Sequence, residues 1–317
     1  MSLNNPFFIV GCGRSGTSLL KAILSSHEDI YVTPETFYYH SIDAKLEEGT
    51  DIPSFIATRW WMMNEKILEN DIRKGIKHVT NEGLQDRSDA AFRAILNVFQ
   101  ARYPKCSIGE KSASHVRHVS RIKGHIPEAK FVQIIRDPRA VLASYTKAKI
   151  GSNQPYFIAK QWLSAMNVLE AHKDQDYYYV LSYEELTRTP NDILRGVSDF
   201  LLVKWDEKVL KFHEREKAGF PEEQKHHLNT LKPIFTSNID SWKTVLSKRK
   251  IALIEYKCSD FMQKYGYEIT GHKVLFPELQ YRISYLLGMI WRAFVIFPEK
   301  RIKAIRAKSR LRKSETT

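Results

Sequence analysis

One stretch constrains the fold more than any other: Phe7-Phe8-Ile9-Val10-Gly11-Cys12-Gly13-Arg14-Ser15-Gly16-Thr17-Ser18-Leu19-Leu20. Phe7 to Val10 read as a short buried strand, and Leu19, Leu20, Ile23 and Leu24 recur at helical spacing after a glycine-rich turn. A strand, a tight glycine turn and a helix N-terminus make an anion site. Backbone N–H groups converge there, the helix dipole presents its positive end, and glycine permits close approach of the chain to a phosphate. Arg14 adds a fixed positive charge with a fork suited to phosphate or sulfate oxygens. Ser15, Thr17 and Ser18 add hydroxyl donors. The loop from Gly13 to Ser18 is expected to hold a phosphate-like group; the alternative is a turn that only joins strand to helix.

Gly11 and Gly16 have the spacing of the nucleoside-triphosphatase pattern G-x-x-x-x-G-K-[ST], but Thr17 stands in the lysine position. That lysine ordinarily reaches the β- and γ-phosphates beside magnesium, so its loss argues for a different phosphorylated donor. Gly11 to Leu20 resembles the 5′-phosphosulfate loop of sulfotransferases that use 3′-phosphoadenosine 5′-phosphosulfate (PAPS), which reads roughly P-[KR]-[SA]-G-T-[ST]. Arg136-Asp137-Pro138-Arg139-Ala140-Val141-Leu142-Ala143-Ser144-Tyr145 resembles the family's second signature: an arginine ending a strand and a serine eight positions on, in the next helix. The resemblance implies that Arg136 and Ser144 bind the 3′-phosphate of PAPS. It covers about residues 6–268.

At 317 residues and 43% hydrophobic, the chain can bury a full core, and one α/β domain with helical insertions is expected. Cys12, Cys106 and Cys258 are odd in number, widely separated and without metal-ligand spacing. They point to a reducing compartment, and no metal site is expected. The N-terminus passes from Met1–Asn5 straight into the first strand without a signal peptide or anchor, so a cytoplasmic location is expected. Of the net charge of +13, residues 299–317 contribute +6, from Lys300, Arg301, Lys303, Arg306, Lys308, Arg310, Arg312 and Lys313 against Glu299 and Glu315. The remainder suits an anionic donor. No helix-turn-helix, zinc-knuckle or RNP pattern is present, so nucleic acid is not an expected partner.

Further strands are expected at Ile30–Val32, Ser107–Lys111, Lys130–Arg136 and Tyr177–Leu181. They alternate with helices, including one opened by Asp137-Pro138 and one by Pro190. This order predicts an α/β fold: a central parallel β-sheet flanked by helices on both faces, P-loop-like, with a helical insertion over about 37–104. Breaks in the insertion are expected near Gly49, Gly75 and Gly83, with Asp51-Ile52-Pro53 opening one segment. Trp60, Trp61, Met62 and Met63 are either a core stripe or an acceptor-pocket lining. Residues 1–273 are read as the sulfotransferase domain and 274–317 as an apolar helix with a basic tail.

Glu35 lies 21 residues after Arg14, in a Pro-Glu-Thr turn. Tyrosylprotein and carbohydrate sulfotransferases place a catalytic glutamate at that separation, which makes Glu35 the candidate general base. His115 is the rival, by a looser resemblance to the Lys-Thr-His stretch of small-molecule sulfotransferases; the alternative for it is a surface or helix-capping histidine. Lys111 resembles the family lysine facing the sulfonate, where a cation stabilises charge building on the leaving phosphate, with Arg14 acting from the other side. Tyr183-Glu184-Glu185-Leu186 resembles a Y-E-D-L segment, with Tyr183 a candidate nucleotide contact. Ser237 to Lys243 resembles the loop before a Trp-Lys pair that closes over the nucleotide, with Ser237 and Lys243 as candidate contacts; the glycine-rich Arg-Lys-Gly form is missing.

Residues 283–297 carry one charge, Arg292, and are short for a membrane-spanning helix. With the basic run behind them, residues 283–313 either lie on an anionic lipid surface or pack on protein with a solvated basic end. The implied reaction moves a sulfonate from PAPS to an acceptor hydroxyl and releases adenosine 3′,5′-bisphosphate. Carbohydrate, lipid or sterol alcohol, and tyrosine all stay open as acceptors. A P-loop kinase and a non-catalytic nucleotide-binding scaffold are the competing classes.

Overall fold

The computed structural model describes residues 3–43, 50–57, 69–81, 86–148, 153–214 and 232–291, with single positions 59, 65, 67, 83 and 294. Gly49, Trp60 to Met63 and the basic run after Glu299 lie outside the described residues. The chain forms two compact units, residues 1–136 with 165–236, and residues 137–164 with 237–317.

The first unit is built on a five-stranded sheet of order β2-β3-β1-β4-β5, with every neighbouring pair parallel. The strands are β1 (Phe7–Gly11), β2 (Ile30–Val32), β3 (Ser107–Lys111), β4 (Lys130–Ile135) and β5 (Tyr178–Ser182). β1 is central and buried throughout, as its unbroken apolar run requires. Its alternate residues serve two layers. Phe7 and Ile9 join Val132, Ile134 and the Leu20, Ile23 and Leu24 side chains of α1 (Thr17–Leu24) in one cluster. Phe8 faces the other way, its ring centroid 5.3 Å from Phe131 and 6.0 Å from Phe92.

Between β2 and β3 the insertion comprises a π-turn at Tyr38–Ile42, α2 (Ile52–Ala57), α3 (Glu69–Asn81) and α4 (Arg87–Arg102). Asp86 caps α4, accepting from the Asp89 amide at 2.8 Å. Gly75 is not the expected break but lies inside α3. A Cβ there would stand 3.0 Å from the Cβ of Ala94, so the glycine serves close packing of α3 on α4. After β3 come a 3₁₀ turn at Ala113–His118 and α5 (Val119–His125). α6 (Pro138–Ala148) and α7 (Pro155–His172) follow β4, and α8 (Tyr183–Arg188) and α9 (Pro190–Phe200) follow β5. Pro190 starts α9 as expected.

The second unit holds α6, the first half of α7, α10 (Trp242–Val245), α11 (Lys248–Lys264) and α12 (Pro277–Trp291). Asp137 caps α6 as expected, accepting from the Arg139 amide at 2.8 Å. Arg139 pairs with Asp137 and with Glu255, each at 2.7 Å, and lies 3.9 Å over the Trp242 ring. Glu255 also accepts from the Thr270 amide and hydroxyl. These buried charges are thus fully engaged, as burial demands. Cys12, Cys106 and Cys258 are free thiols. Among the described residues no helix is long and apolar enough to cross a membrane.

Gly109 tests the sheet packing, because a Cβ there would fall 2.4 Å from Cζ of the fully buried Phe7 ring. Gly109→Ala is expected to lower unfolding stability by about 1–3 kcal/mol, the usual cost of overpacking. Urea denaturation reads the loss directly.

Candidate active site

β1 runs into the anion loop through Gly11, whose added Cβ would meet the Ile134 carbonyl oxygen at 2.6 Å. The Ser15 amide donates to the Cys12 carbonyl at 3.1 Å, closing the turn around Gly13. Arg14 holds the left-handed region, φ 69°, unusual for a residue with a side chain. Gly16 has φ 107°, and a Cβ on it would lie 2.5 Å from Tyr183 Cδ2, so only glycine fits in conformation and in space. α1 begins at Thr17 with no side-chain cap, leaving its first-turn N–H groups without a side-chain acceptor. Ser15 Oγ is buried and makes no hydrogen bond. These features fit an anion at the loop. Burial pushes the Cys12 thiol up to about 12, against the pull of Arg117, so it is no nucleophile at neutral pH.

Two side chains of α1, Ser18 and Lys21, lie one turn apart on the face toward β3. Burial, then Lys111, push the Lys21 ammonium down to about 8 against the opposing charges of Glu35, Glu110 and Glu65. Its Nζ donates to the Thr33 carbonyl at 2.7 Å. Lys111, the last residue of β3, is nearly fully buried. Its Nζ sits 2.8 Å from Glu35 Oε2 and donates to Ser18 Oγ at 3.2 Å. Ser18, Lys111 and Glu35 therefore form one cluster.

Glu110 precedes Lys111 and points to the opposite side of the strand. Its Oε1 accepts from the Thr36 amide (3.2 Å), the Thr36 hydroxyl (2.8 Å) and the Ser112 hydroxyl (2.6 Å). Its Oε2 lies 2.9 Å from His115 Nδ1, with both side chains completely buried. The Phe37 amide donates to Ser112 Oγ at 2.9 Å, and the Thr33 amide to the Gly109 carbonyl at 2.8 Å. The loop carrying Glu35 is thus tied to β3 on both sides of that residue. Burial alone would raise the Glu110 carboxyl; His115, with the Ser112 and Thr36 hydroxyls, outweighs it and holds the group at about 2.

Arg136, immediately after β4, donates from Nη1 to the Arg14 carbonyl at 3.1 Å and lies 4.0 Å over the Tyr183 ring. Tyr183 in turn packs against Gly16. Gly13, Arg14, Ser15, Gly16, Thr17, Ser18, Glu35, Lys111, Arg136 and Tyr183 all belong to the first unit, at the carboxyl ends of its strands or the loops beyond, where open α/β sheets bind ligands. Ser144 on α6, Ser237 and Lys243 belong to the second unit. Lys243 pairs there with exposed Asp240 at 2.8 Å.

His115 is neither a surface nor a capping histidine. It is fully buried, edge-on to the rings of Tyr39 and Phe92 at 5.3 and 5.6 Å. Lys21, Thr36, Glu110 and Ser112 were not singled out in the sequence. The signal for Lys21 was its helical spacing from Ser18, and for Glu110 a second charge in a strand that ends in one.

The sulfotransferase family profile matches residues 6–207, from β1 through α9. The chain belongs to the sulfotransferase family. Protein-tyrosine sulfotransferase A of Caenorhabditis elegans is 23% identical over 278 residues, covering 83% of this chain and 68% of the relative. The fold matches the sulfotransferase domain of the Synechococcus PCC 7002 olefin synthase with a TM-score of 0.60, at 21% identity over 84% of this chain and 97% of the other. The sulfotransferase domain from the curacin biosynthetic pathway matches at the same TM-score of 0.60, at 17% identity over 85% of this chain and 100% of the other. The chain is a sulfotransferase enzyme, and the matched span contains the whole anion loop, Glu35, Lys111, Arg136 and Tyr183. Among the described residues no group of three or more His, Cys, Asp or Glu side chains is placed to hold a metal ion.

The Glu110 carboxyl sets an acid limit on this sulfotransferase. Its folded value, about 2, lies below its ordinary 4.5, so its contribution is complete above about 4.5 and is lost as pH falls toward 2. Urea unfolding midpoints are expected to drop more steeply across that window in the wild type than in Glu110→Gln.

Proposed function

We propose that this sulfotransferase moves a sulfonate group from PAPS to an acceptor hydroxyl and releases adenosine 3′,5′-bisphosphate. The observation that carries the reading is the Ser18–Lys111–Glu35 cluster beside an anion loop with an uncapped helix start and a buried, unbonded Ser15 hydroxyl. The loop amides, Arg14, Ser15, Thr17 and Ser18 hold the 5′-phosphosulfate. Arg136 and Ser144 take the 3′-phosphate, Tyr183 supports Arg136, and Ser237 and Lys243 are further nucleotide contacts.

Glu35 accepts the proton of the acceptor hydroxyl as that oxygen bonds to sulfur. The bond from sulfur to the bridging oxygen breaks, its electron pair stays on the departing phosphate, and Lys111 and Arg14 stabilise the charge that builds there. His115 is supported less well as the base, because it lies wholly inside the protein against Glu110, whereas Glu35 is partly exposed beside Lys111. The sulfonate needs no metal in this scheme. The protein-tyrosine sulfotransferase relative supports a tyrosine hydroxyl as the first acceptor to test, ahead of carbohydrate and lipid or sterol alcohols.

Incubation with [35S]PAPS and members of each acceptor class, in the presence of EDTA, tests the proposal. Transfer of label to one class is expected. Glu35→Gln should lower it by about 10²–10⁴-fold, the usual contribution of a general base, while leaving affinity for adenosine 3′,5′-bisphosphate unchanged. A Glu35→Gln variant with full turnover would reject Glu35 as the base.

A further inference from the structure

Helix α12 is packed the wrong way round for a helix of a water-soluble surface. The residues it buries at one edge are Tyr281, Ser284 and Gly288, two of them small. Ser284 Oγ accepts from the Tyr156 amide at 3.1 Å, and the Tyr281 hydroxyl donates to the Tyr156 carbonyl at 3.3 Å, so this edge is fixed to α7 within the second unit. The bulky apolar side chains point outward. Leu279 and Leu286 are 58% exposed, Leu287 49%, Met289 44% and Ile290 55%. Leu275 and Phe276, just ahead of the helix, are 80% and 75% exposed. The charges of the helix, Glu278 and Arg282, are confined to its start, and Glu278 is paired with Lys257 and Arg282. A contiguous apolar face of this kind marks an interaction surface.

The charge of the C-terminal segment identifies the partner's chemistry. After Phe297 and Pro298, residues 300–313 carry eight Lys and Arg side chains and no acidic one. A second copy of the chain would bring another run of the same sign beside it. An anionic lipid surface satisfies both features, accepting the large apolar side chains at the depth of the headgroups and attracting the basic run.

We propose that the outward face of α12, with the basic run of residues 300–313, seats this protein on an anionic membrane surface. The proposal is independent of the sulfonate-transfer reading. Its test is co-sedimentation of the full chain with phosphatidylcholine vesicles and with vesicles that also contain about 30% phosphatidylserine, at low and raised salt. The wild type should favour the anionic vesicles about tenfold or more, and salt should weaken binding. Leu286→Glu with Ile290→Glu, and separately Arg306→Glu with Lys308→Glu and Arg310→Glu, should each lower binding about tenfold or more, with thermal unfolding midpoints retained. Equal partition between the two vesicle types, or binding untouched by both variants, would overturn the proposal. So would a dimer, seen by light scattering, that Leu286→Glu with Ile290→Glu dissociates while vesicles bind nothing.

Discussion

The site depends on the parallel register of three strands. β1 lies between β3 and β4, with Ile9 opposite Lys111 and Gly11 opposite Ile134. That pairing delivers the anion loop, Lys111 and Arg136 to the same end of the sheet without any long-range contact made for the purpose. A one-residue slip would exchange Lys111 and Glu110 between the two faces. The lysine would then lose Ser18 and Glu35, and the buried carboxylate would lose Thr36 and His115. The apolar side chains of β1 and β4, locked into layers on both faces, make such a slip expensive.

Glu110 and Lys21 show how much buried charge the fold spends on one loop. Both lie inside the first unit, and both bond to the segment Thr33–Thr36 that presents Glu35. Loops ordinarily sit in water and move. Here the backbone on each side of Glu35 is anchored to β3, and Phe37 ends the segment in a left-handed conformation, φ 49°. In the proposed reaction, a carboxylate held this way would meet the acceptor in a fixed place, which is what orientation contributes to a group-transfer step.

The strands, the glycine loop between β1 and α1 and the charge that ends β3 were legible in the sequence because they rest on local signals: apolar runs, glycine spacing and charged strand ends. Gly75 was misread because its reason is tertiary; helix propensity says break, while the neighbouring Ala94 on α4 says glycine. His115 was misread in the same way. A histidine among charged and small residues suggests a surface, and only the fold sets it between Tyr39, Phe92 and Glu110. The apolar stretch near the C-terminus was visible, but not its inside-out packing, because periodicity does not show which face of a helix meets the rest of the protein.

The proposed reaction requires that the loop at the end of β1 and Arg136 after β4 bind the two phosphate-bearing ends of one adenosine nucleotide. Isothermal titration calorimetry of the full chain with adenosine 3′,5′-bisphosphate, beside Mg·ATP, tests it most directly. Saturable binding of the bisphosphate in EDTA, weakened at least about tenfold by Arg14→Ala and by Arg136→Ala, is the predicted result, given the strength of charge-assisted contacts to phosphate. Indifference to the bisphosphate together with tight binding of Mg·ATP would contradict it.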